Sequence, residues 1–330
     1  MNVGTSGRRG GLHVPVVAAA ISFALFLGCA GALSAQAQEP VSQSPVALPS
    51  AAPNASKSIG NSDAALAEAD LLWARRAEGA QGAGALPGPI DAVIGACRHA
   101  IVEEPGSLES RWRLMRALYF KGEYTTADPT QKRNIFDAGR VVGDEALSII
   151  RRWALAASPR VKANATPVEL VPVVRGQKSV LACFYWAGVD WGKWALVFGK
   201  SAAVKQGAAA KIRDDATAAI ALDPSFEDGG GYRVLGRLHH QTPSIPFFTG
   251  WASREEALKN LRLAHKVAPR NFINRLYLAE AMWDYEKTKR PEARAMLESL
   301  MGDTPSAEFP VEDRKTQDEA RALLASWTTR

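Results

Sequence analysis

The chain has 330 residues, of which 47% are hydrophobic and 22% are charged, as in an ordinary globular protein. Its net charge of +6 is spread over short mixed runs such as the segment 211–215. No basic stripe is long enough to follow a nucleic-acid backbone, so the composition excludes a nucleic-acid partner and the charge is interpreted as a contribution to solubility.

The first 37 residues predict a signal peptide. Arg8 and Arg9 form a positively charged N-terminal region, and the segment 14–33 that follows is apolar. Ala35-Gln36-Ala37 then offers a small-x-small cleavage site before Gln38. The apolar segment is long enough for an uncleaved anchor, but its Gly, Ala and Ser content favours a cleaved signal.

A second interpretation of the same region is a lipoprotein signal, with Cys29 lipidated after cleavage. Leu27-Gly28-Cys29 fits such a site, although Phe26 stands where Leu is usual. Either processing route predicts export, to the periplasm or to a membrane surface through an N-terminal lipid.

Residues 38–60 are rich in Pro, Ser and Ala and predict a flexible linker. Residues 61–330 predict one helical repeat domain. The segment 168–174 is the best strand candidate, but Pro172 interrupts it. The predicted helices lie near 63–78, 89–104, 107–122, 132–157, 176–199, 201–222, 229–241, 253–268, 271–287, 291–301 and 311–328.

A recurring alanine and proline spacing indicates repeated helix pairs. An alanine stands five residues before a helix-ending proline in four places: Ala100 and Pro105, Ala154 and Pro159, Ala219 and Pro224, and Ala264 and Pro269. A small residue near the end of a second helix, followed by proline, is typical of tetratricopeptide repeats. We therefore predict an all-α fold, an irregular tetratricopeptide-like helix-pair array (an α-α superhelix). The C-terminal helix 311–328 would cap its open end. Separately, Ser253 and Glu256 predict a capping box at one helix start.

The sequence carries no catalytic template, so we predict binding and not catalysis, with no cofactor and no metal site. Adjacent His239 and His240 point about 100° apart on a helix and do not readily share a metal ion. Cys97 lies on an apolar helix row, which predicts a buried free thiol, although an exported pair with Cys183 could also form a disulfide.

The segment 180–198 predicts a core helix with two aromatic residues beside its apolar face. Its apolar row runs from Val180 through Phe184, Ala187, Trp191 and Trp194 to Phe198. Tyr185 and Trp186 lie off this row. They therefore need a second partner, which is another helix layer, an oligomer contact or a ligand cavity.

Three glycines precede a basic helix face at 229–241. Gly229 to Gly231 allow unusual backbone angles and exposed amides, and Arg233 and Arg237 share one face with His240. This basic face has two interpretations. It is either the rim of a site that binds a carboxylate or a protein partner, or a solvated surface. The next loop contains Phe247 and Phe248, and so apolar a loop must be buried or meet a partner.

These segments resemble the T-component family of TRAP transporters. The resemblance covers roughly residues 63–328, is strongest after residue 180, and is carried by five motifs. They are Phe184 to Trp194 (FYWAGVDWGKW), Asp228 to Gly236 (DGGGYRVLG), Pro243 to Phe248 (PSIPFF), Ala264 to Leu276, which includes PRNFINRL, and Val311 to Arg314 (VEDR).

The resemblance implies a periplasmic or lipid-anchored helical protein that assists a TRAP-type solute-binding protein, with a small organic acid as the expected ligand class. Two other function classes stay open, a general scaffold for envelope protein assembly and an enzyme of a type that the catalytic motifs do not show. As partners, a second copy of the chain in a homo-oligomer also stays open. From the residues themselves we predict that Tyr185, Trp186, Arg233, Arg237, Phe247 and Phe248 line one binding surface.

Overall fold

The computed structural model of the chain describes residues 55–242 and 250–328. Within these ranges the chain is built from α-helices and contains no strand, which confirms the predicted all-α fold. In chain order the helices are α1 (Ala55–Ala74), α2 (Pro87–Glu103), α3 (Leu108–Tyr124), α4 (Pro129–Ala157), α5 (Pro167–Val174), α6 (Val180–Phe198), α7 (Lys200–Lys205), α8 (Ala208–Leu222), α9 (Phe226–Gln241), α10 (Arg254–Val267), α11 (Phe272–Tyr285), α12 (Arg290–Gly302) and α13 (Pro310–Thr328). None of the helices in these two ranges is long and apolar enough to cross a membrane.

The long helices form two layers in which successive helices alternate. The inner layer consists of α1, α3, α6, α9, α11 and α13, and the outer layer of α2, α4, α8, α10 and α12. Each outer helix packs against the inner helices that precede and follow it, and neighbouring inner helices also contact one another. The main apolar core lies between α3, α4, α5, α6 and α8 and contains Ile150, Leu170 and Phe184. The chain is therefore a helical array held together by burial between the layers.

Helix α13 joins the two ends of this array. Near its C-terminus Trp327 stacks on Trp283 of α11, with ring centroids 4.1 Å apart. Near its N-terminus Val311 packs with the apolar cluster of α1, α2 and α3, and Glu312 pairs with Arg76 at 2.8 Å. Helix α13 thus connects the last helix pair to the first, and the inner helices face a common interior.

Four outer helices end in the same way. Ala100, Ala154, Ala219 and Ala264 are buried, each at most 2% exposed, so close helix packing occurs at all four predicted helix ends. The carbonyl of each alanine accepts a hydrogen bond from the C-cap residue four positions later, and a proline follows that residue. Because proline has no backbone N–H, the helix cannot continue, and the chain turns back toward the inner layer.

Several helix boundaries differ from the predicted ones. Helix α1 begins at Ala55, so the last part of the predicted linker 38–60 is helical. The predicted helix 201–222 is divided into α7 and α8, because Gly207 adopts a left-handed conformation with φ 64°. Gly has no Cβ to oppose this angle, so the break falls there.

The best strand candidate, 168–174, is helical in the structure. Thr166 and Glu169 form a capping box that starts α5, and Pro167 occupies its first turn. These signals fix a short helix in spite of Pro172, whose ring nitrogen cannot donate to the carbonyl of Val168. The helix-start chemistry therefore outweighs the β-branched composition.

The predicted capping box at Ser253 forms only in part. The Ser253 hydroxyl accepts a hydrogen bond from the Glu256 amide at 3.2 Å, as predicted. The Glu256 carboxylate, however, accepts hydrogen bonds from Lys259 and Asn260, and the Ser253 amide donates to His239 Nδ1. His239 thus has a structural role at the start of α10.

Cys97 and Cys183 are both buried free thiols. Burial raises the pKa of Cys97 to about 12, so the thiol stays protonated. The core interpretation of Cys97 is confirmed, and the two residues do not form the alternative disulfide.

Candidate functional site

The inner helices turn a row of polar and aromatic side chains toward the interior. On α3, Trp112, Arg116, Tyr119 and Glu123 follow a spacing of four, three and four residues, which places them on one side of the helix. The other inner helices add Tyr185, Trp186 and Lys193 from α6, Glu227, Arg233 and Arg237 from α9, Asn274, Tyr277 and Glu280 from α11, and Lys315 from α13. We call this set the inner surface.

The inner surface converges on Tyr277. Burial raises the pKa of both Tyr119 and Tyr185, and the nearby Tyr277 hydroxyl adds to the shift in each. Tyr277 also contributes to the raised pKa of Arg233 and of Lys193, where burial opposes the charge but negative neighbours outweigh it. Direct contacts agree with this placement: the Arg237 guanidinium lies 4.2 Å from the centre of the Tyr277 ring, and the Tyr119 ring lies 5.6 Å from that of Trp186. Side chains from α3, α6, α9 and α11 therefore lie close together around Tyr277.

Tyr185 and Arg233, two of the predicted site residues, contact each other directly. Arg233 donates one hydrogen bond to the Tyr185 hydroxyl and another to Asn274 Oδ1, each at 2.9 Å. It also donates to the carbonyl of Glu227 at 3.1 Å. Arg233 thus ties α6, α9 and α11 together, and the expectation of an exposed, solvated arginine here is wrong because buried acceptors surround it.

Trp186 obtains its second partner from another helix. Its ring lies 5.6 Å from that of Tyr119 on α3 and 5.0 Å from that of Tyr185. The side chain is buried, and its indole N–H meets no acceptor among the described residues. Of the predicted alternatives, the helix layer supplies the contact.

Arg237 faces α11. Its guanidinium lies 4.2 Å from the centre of the Tyr277 ring and donates a hydrogen bond to Glu280. His240, on the same face, has Nε2 3.0 Å from a carboxylate oxygen of Asp284. The predicted basic face is therefore matched by acidic side chains of α11. Phe247, Phe248 and the lipidation candidate Cys29 lie outside the described residues.

The three glycines at the start of α9 allow close packing. A Cβ on Gly230 would lie 2.5 Å from the Tyr185 ring, and one on Gly231 would lie 2.7 Å from Ile220. Gly229 adopts φ 77° against Ala264 of α10. All three are buried, so the predicted exposed amides for an anion are not present. The close approach of α9 to α6 is what brings Arg233 within reach of Tyr185.

At one end of the inner surface the charges are fully paired. The Glu123 carboxylate lies 2.7 Å from Lys193 Nζ of α6 and also accepts a hydrogen bond from Lys315 of α13. Burial alone would raise the pKa of Glu123, but the two lysines outweigh it and lower the pKa. This cluster helps α13 to close the array.

At the other end a pocket of about 270 Å³ opens between α3, the turn before α6 and the start of α9. Four charged side chains line it, of which Glu109 and Lys178 pair with each other. The other two, Arg116 and Glu227, have opposite charges and form no side-chain hydrogen bond or ion pair with a described residue, although each affects the pKa of the other. Trp112, Leu181, Ala182 and Phe226 supply apolar walls.

The backbone at Glu227 is unusual. Glu227 and Asp228 have φ angles of 51° and 59°, and Gly229 continues in the same left-handed region. Residues other than glycine rarely adopt this conformation, which costs about 1–2 kcal/mol per residue. Retained strain of this kind clusters at functional sites. Here it holds the Glu227 side chain at the pocket.

A larger pocket of about 370 Å³ lies on α3 and α4. Three of its charged groups are engaged within the protein: Arg111 lies 3.5 Å from Glu145, and Asp144 pairs with Arg140 at 2.9 Å. The remaining charged group, Arg152, is exposed, so this pocket does not present two opposite unpaired charges as the smaller one does.

The sequence predictions missed Arg116 and Glu227. The signal for Arg116 was the α3 row that also contains Trp112, Tyr119 and Glu123. Glu227 gave no local signal, because the left-handed turn before Gly229 depends on the packing of α9 against α10. Of the predicted residues, Tyr185, Trp186, Arg233 and Arg237 all lie at the inner surface.

Comparison of the chain with protein-family models gives no match. Comparison with curated proteins likewise gives no significant match.

Proposed function

We propose that this chain is an exported, non-catalytic binding protein that assists a TRAP-type solute transport system. It binds a solute-binding protein of that system and takes up a small solute at its inner surface. The transport assignment comes from the resemblance of the segments 184–194, 228–236 and 264–276 to the T-component family.

The observation that carries the binding role is the convergence of four helices on Tyr277. Aromatic walls with a few convergent polar groups are typical of small-molecule sites. Tyr119, Tyr185 and Tyr277 supply both the rings and the polar hydroxyl groups. The closure of the array by α13 favours a small solute over an extended peptide, because a peptide-binding groove needs an open path along the helices.

The proposal is tested with the purified chain and the envelope extract of its own organism. A tagged chain is used to capture partners, and mass spectrometry identifies the bound proteins and small molecules. We expect a solute-binding protein of a TRAP system, and direct calorimetric titration of the purified pair must then show binding.

A matched variant separates the two parts of the proposal. Leu181→Trp places a large ring in the pocket between α3 and α9 and keeps the charged side chains that line it. We expect this variant to retain the protein partner and to lose most of the captured solute. Recovery of envelope-assembly proteins without any solute-binding protein would favour the scaffold alternative and contradict the transport role.

A further inference from the structure

We propose that the pocket between α3 and α9 binds a small zwitterion, whose carboxylate pairs with Arg116 and whose ammonium group pairs with Glu227. This inference rests on the proposed function, since it names the chemical class of solute for the inner surface.

Arg116 offers a positioned cation that aromatic rings hold and that no described anion or hydrogen-bond acceptor pairs with. Its guanidinium carbon lies 3.9 Å from the centre of the Trp73 ring and 4.8 Å from that of Trp112. The Nε atom is buried and unbonded, whereas the terminal nitrogens remain open. Burial lowers the pKa of Arg116 to about 10, which leaves the group charged at neutral pH. A carboxylate is the natural ligand for such a planar fork of donors.

Glu227 offers the opposite charge across the same pocket. Its backbone carbonyl is bound by Arg233, but its carboxylate oxygens accept no hydrogen bond from any described residue. The left-handed turn fixes the start of this side chain, and the Trp rings fix Arg116. The two groups therefore line one pocket without satisfying each other.

The remaining charges of the pocket are already neutralised. Glu109 accepts hydrogen bonds from Trp112 and Arg113 and pairs with Lys178 at 3.0 Å. Burial opposes its charge, but these hydrogen-bond donors, with Ser179, lower the pKa of Glu109 to about 2. An incoming ligand therefore meets one free cation, one free anion and apolar walls.

A zwitterion fits this arrangement better than an ion of a single sign. A dicarboxylate would satisfy Arg116 and place a second negative charge near Glu227, and a diamine would reverse the conflict. A buried charge left unpaired lowers affinity strongly, so both charges of the ligand contribute to selection. The apolar walls favour an aliphatic or aromatic body, as in a hydrophobic α-amino acid.

The test uses the whole purified chain and calorimetric titration with the twenty L-amino acids and glycine betaine. For the tightest ligand, two analogues follow: the acid that lacks the ammonium group and the amine that lacks the carboxylate. We expect each analogue to bind at least about tenfold more weakly, as the loss of a charged hydrogen bond implies.

Two variants assign the charges. Glu227→Gln should weaken zwitterion binding at least about tenfold while leaving the affinity for the deaminated acid unchanged or higher. Arg116→Gln should weaken zwitterion binding to the same extent but should leave the affinity for the decarboxylated amine unchanged. Arg116→Lys keeps the charge if the glutamine variant unfolds, and circular dichroism checks the fold of each. Arg321→Gln, at an exposed position of α13, is the matched control and should change nothing.

The inference is overturned if no zwitterion of the panel binds, if the deaminated acid binds as tightly as its parent, or if neither variant alters affinity. A result in which a plain organic acid binds and the solute-binding protein is still captured would end this inference and leave the proposed function intact. Loss of the protein partner as well would contradict both.

Discussion

The two ends of the inner surface use the same kinds of side chain in opposite ways. At the end near α13, Glu123 is held between Lys193 and Lys315 and is only 13% exposed. At the other end, Arg116 and Glu227 line one pocket and remain unpaired. Charges that are satisfied within the chain stabilise the closed array, whereas charges left unsatisfied are available to a ligand. The pairing, and not the residue type, separates a structural cluster from a candidate site.

The two glutamates show this contrast in their titration. Burial disfavours the charged form of both. The two lysines outweigh burial at Glu123, so its pKa lies below that of an ordinary glutamate. At Glu227 the attraction of Arg233 and Arg116 is not enough, and its pKa is raised. One glutamate therefore stabilises the fold when ionised, and the other destabilises it.

The largest expected effect comes from breaking the paired end. Glu123→Ala leaves Lys193 and Lys315 facing each other without a counter-charge, each less than a quarter exposed. Removal of one partner from such a cluster should lower the free energy of unfolding by about 3 kcal/mol. Urea denaturation measures the change. Asp318→Ala, which breaks the exposed pair with Arg321, is the control and should change stability by less than about 1 kcal/mol. Equal small losses in both variants would contradict a structural role for Glu123.

A smaller loss is expected between the two ends, at Arg233. Arg233→Ala leaves the buried Tyr185 hydroxyl and the buried Asn274 oxygen without their donor. We expect a loss of about 2 kcal/mol in unfolding free energy, because unsatisfied buried polar groups are costly. Tyr185→Phe combined with Arg233→Ala should recover part of this loss. A melting temperature unchanged in Arg233→Ala would show that the arginine is solvated after all.

Relief of strain at the unpaired end should raise stability. Glu227→Gly removes the side chain that opposes φ 51° and should raise the unfolding free energy by about 1 kcal/mol while abolishing zwitterion binding. Asp228→Gly relieves the same backbone strain but keeps both pocket charges, so ligand binding should persist. If Glu227→Gly is less stable than the native chain, the turn is not strained in the sense proposed.

The finest distinction lies in pH dependence. Above about pH 4.5, the ordinary glutamate pKa, ionised Glu123 stabilises the native chain, and this contribution disappears as pH falls toward its lowered pKa. Ionisation of Glu227 has the opposite sign, because its pKa is raised, so the native chain loses stability as pH rises above about 4.5. Relative to the native chain, Glu123→Gln should therefore become less stable as pH rises from about 2 to about 5, and Glu227→Gln should become more stable as pH rises above about 4.5. Thermal melting curves at fixed ionic strength measure how the stability of each variant, relative to the native chain, changes with pH. Changes of the same sign in both variants would contradict the contrast between the two glutamates.

Local sequence chemistry determined most of the helices and the way in which they end. The alanine at each outer-helix terminus is buried because two helices approach there, and the proline that follows stops the helix through its missing N–H. The predicted apolar row is likewise buried from Val180 to Trp194, since a spacing of three and four residues fixes one helix face, whereas its last member, Phe198, is exposed at the end of α6. These are short-range effects, and the sequence displays them directly. Two predictions from the sequence were wrong. The segment 168–174 is helical because a capping box starts a helix there, and the predicted helix 201–222 is divided because Gly207 adopts a left-handed conformation.

The tertiary structure alone decided which charged residues are satisfied. The sequence placed Arg233 and Arg237 on one helix face but could not show that Tyr185, Asn274 and Glu280 would come to meet them. It gave no sign that α13 would bring Lys315 to Glu123, from the far end of the chain. The free energy of a charged side chain depends on the partners and the solvent around it, and long-range packing sets both. The sequence therefore determined a helical array with an aromatic and basic inner face, whereas the fold determined that Arg116 and Glu227 remain open to a ligand.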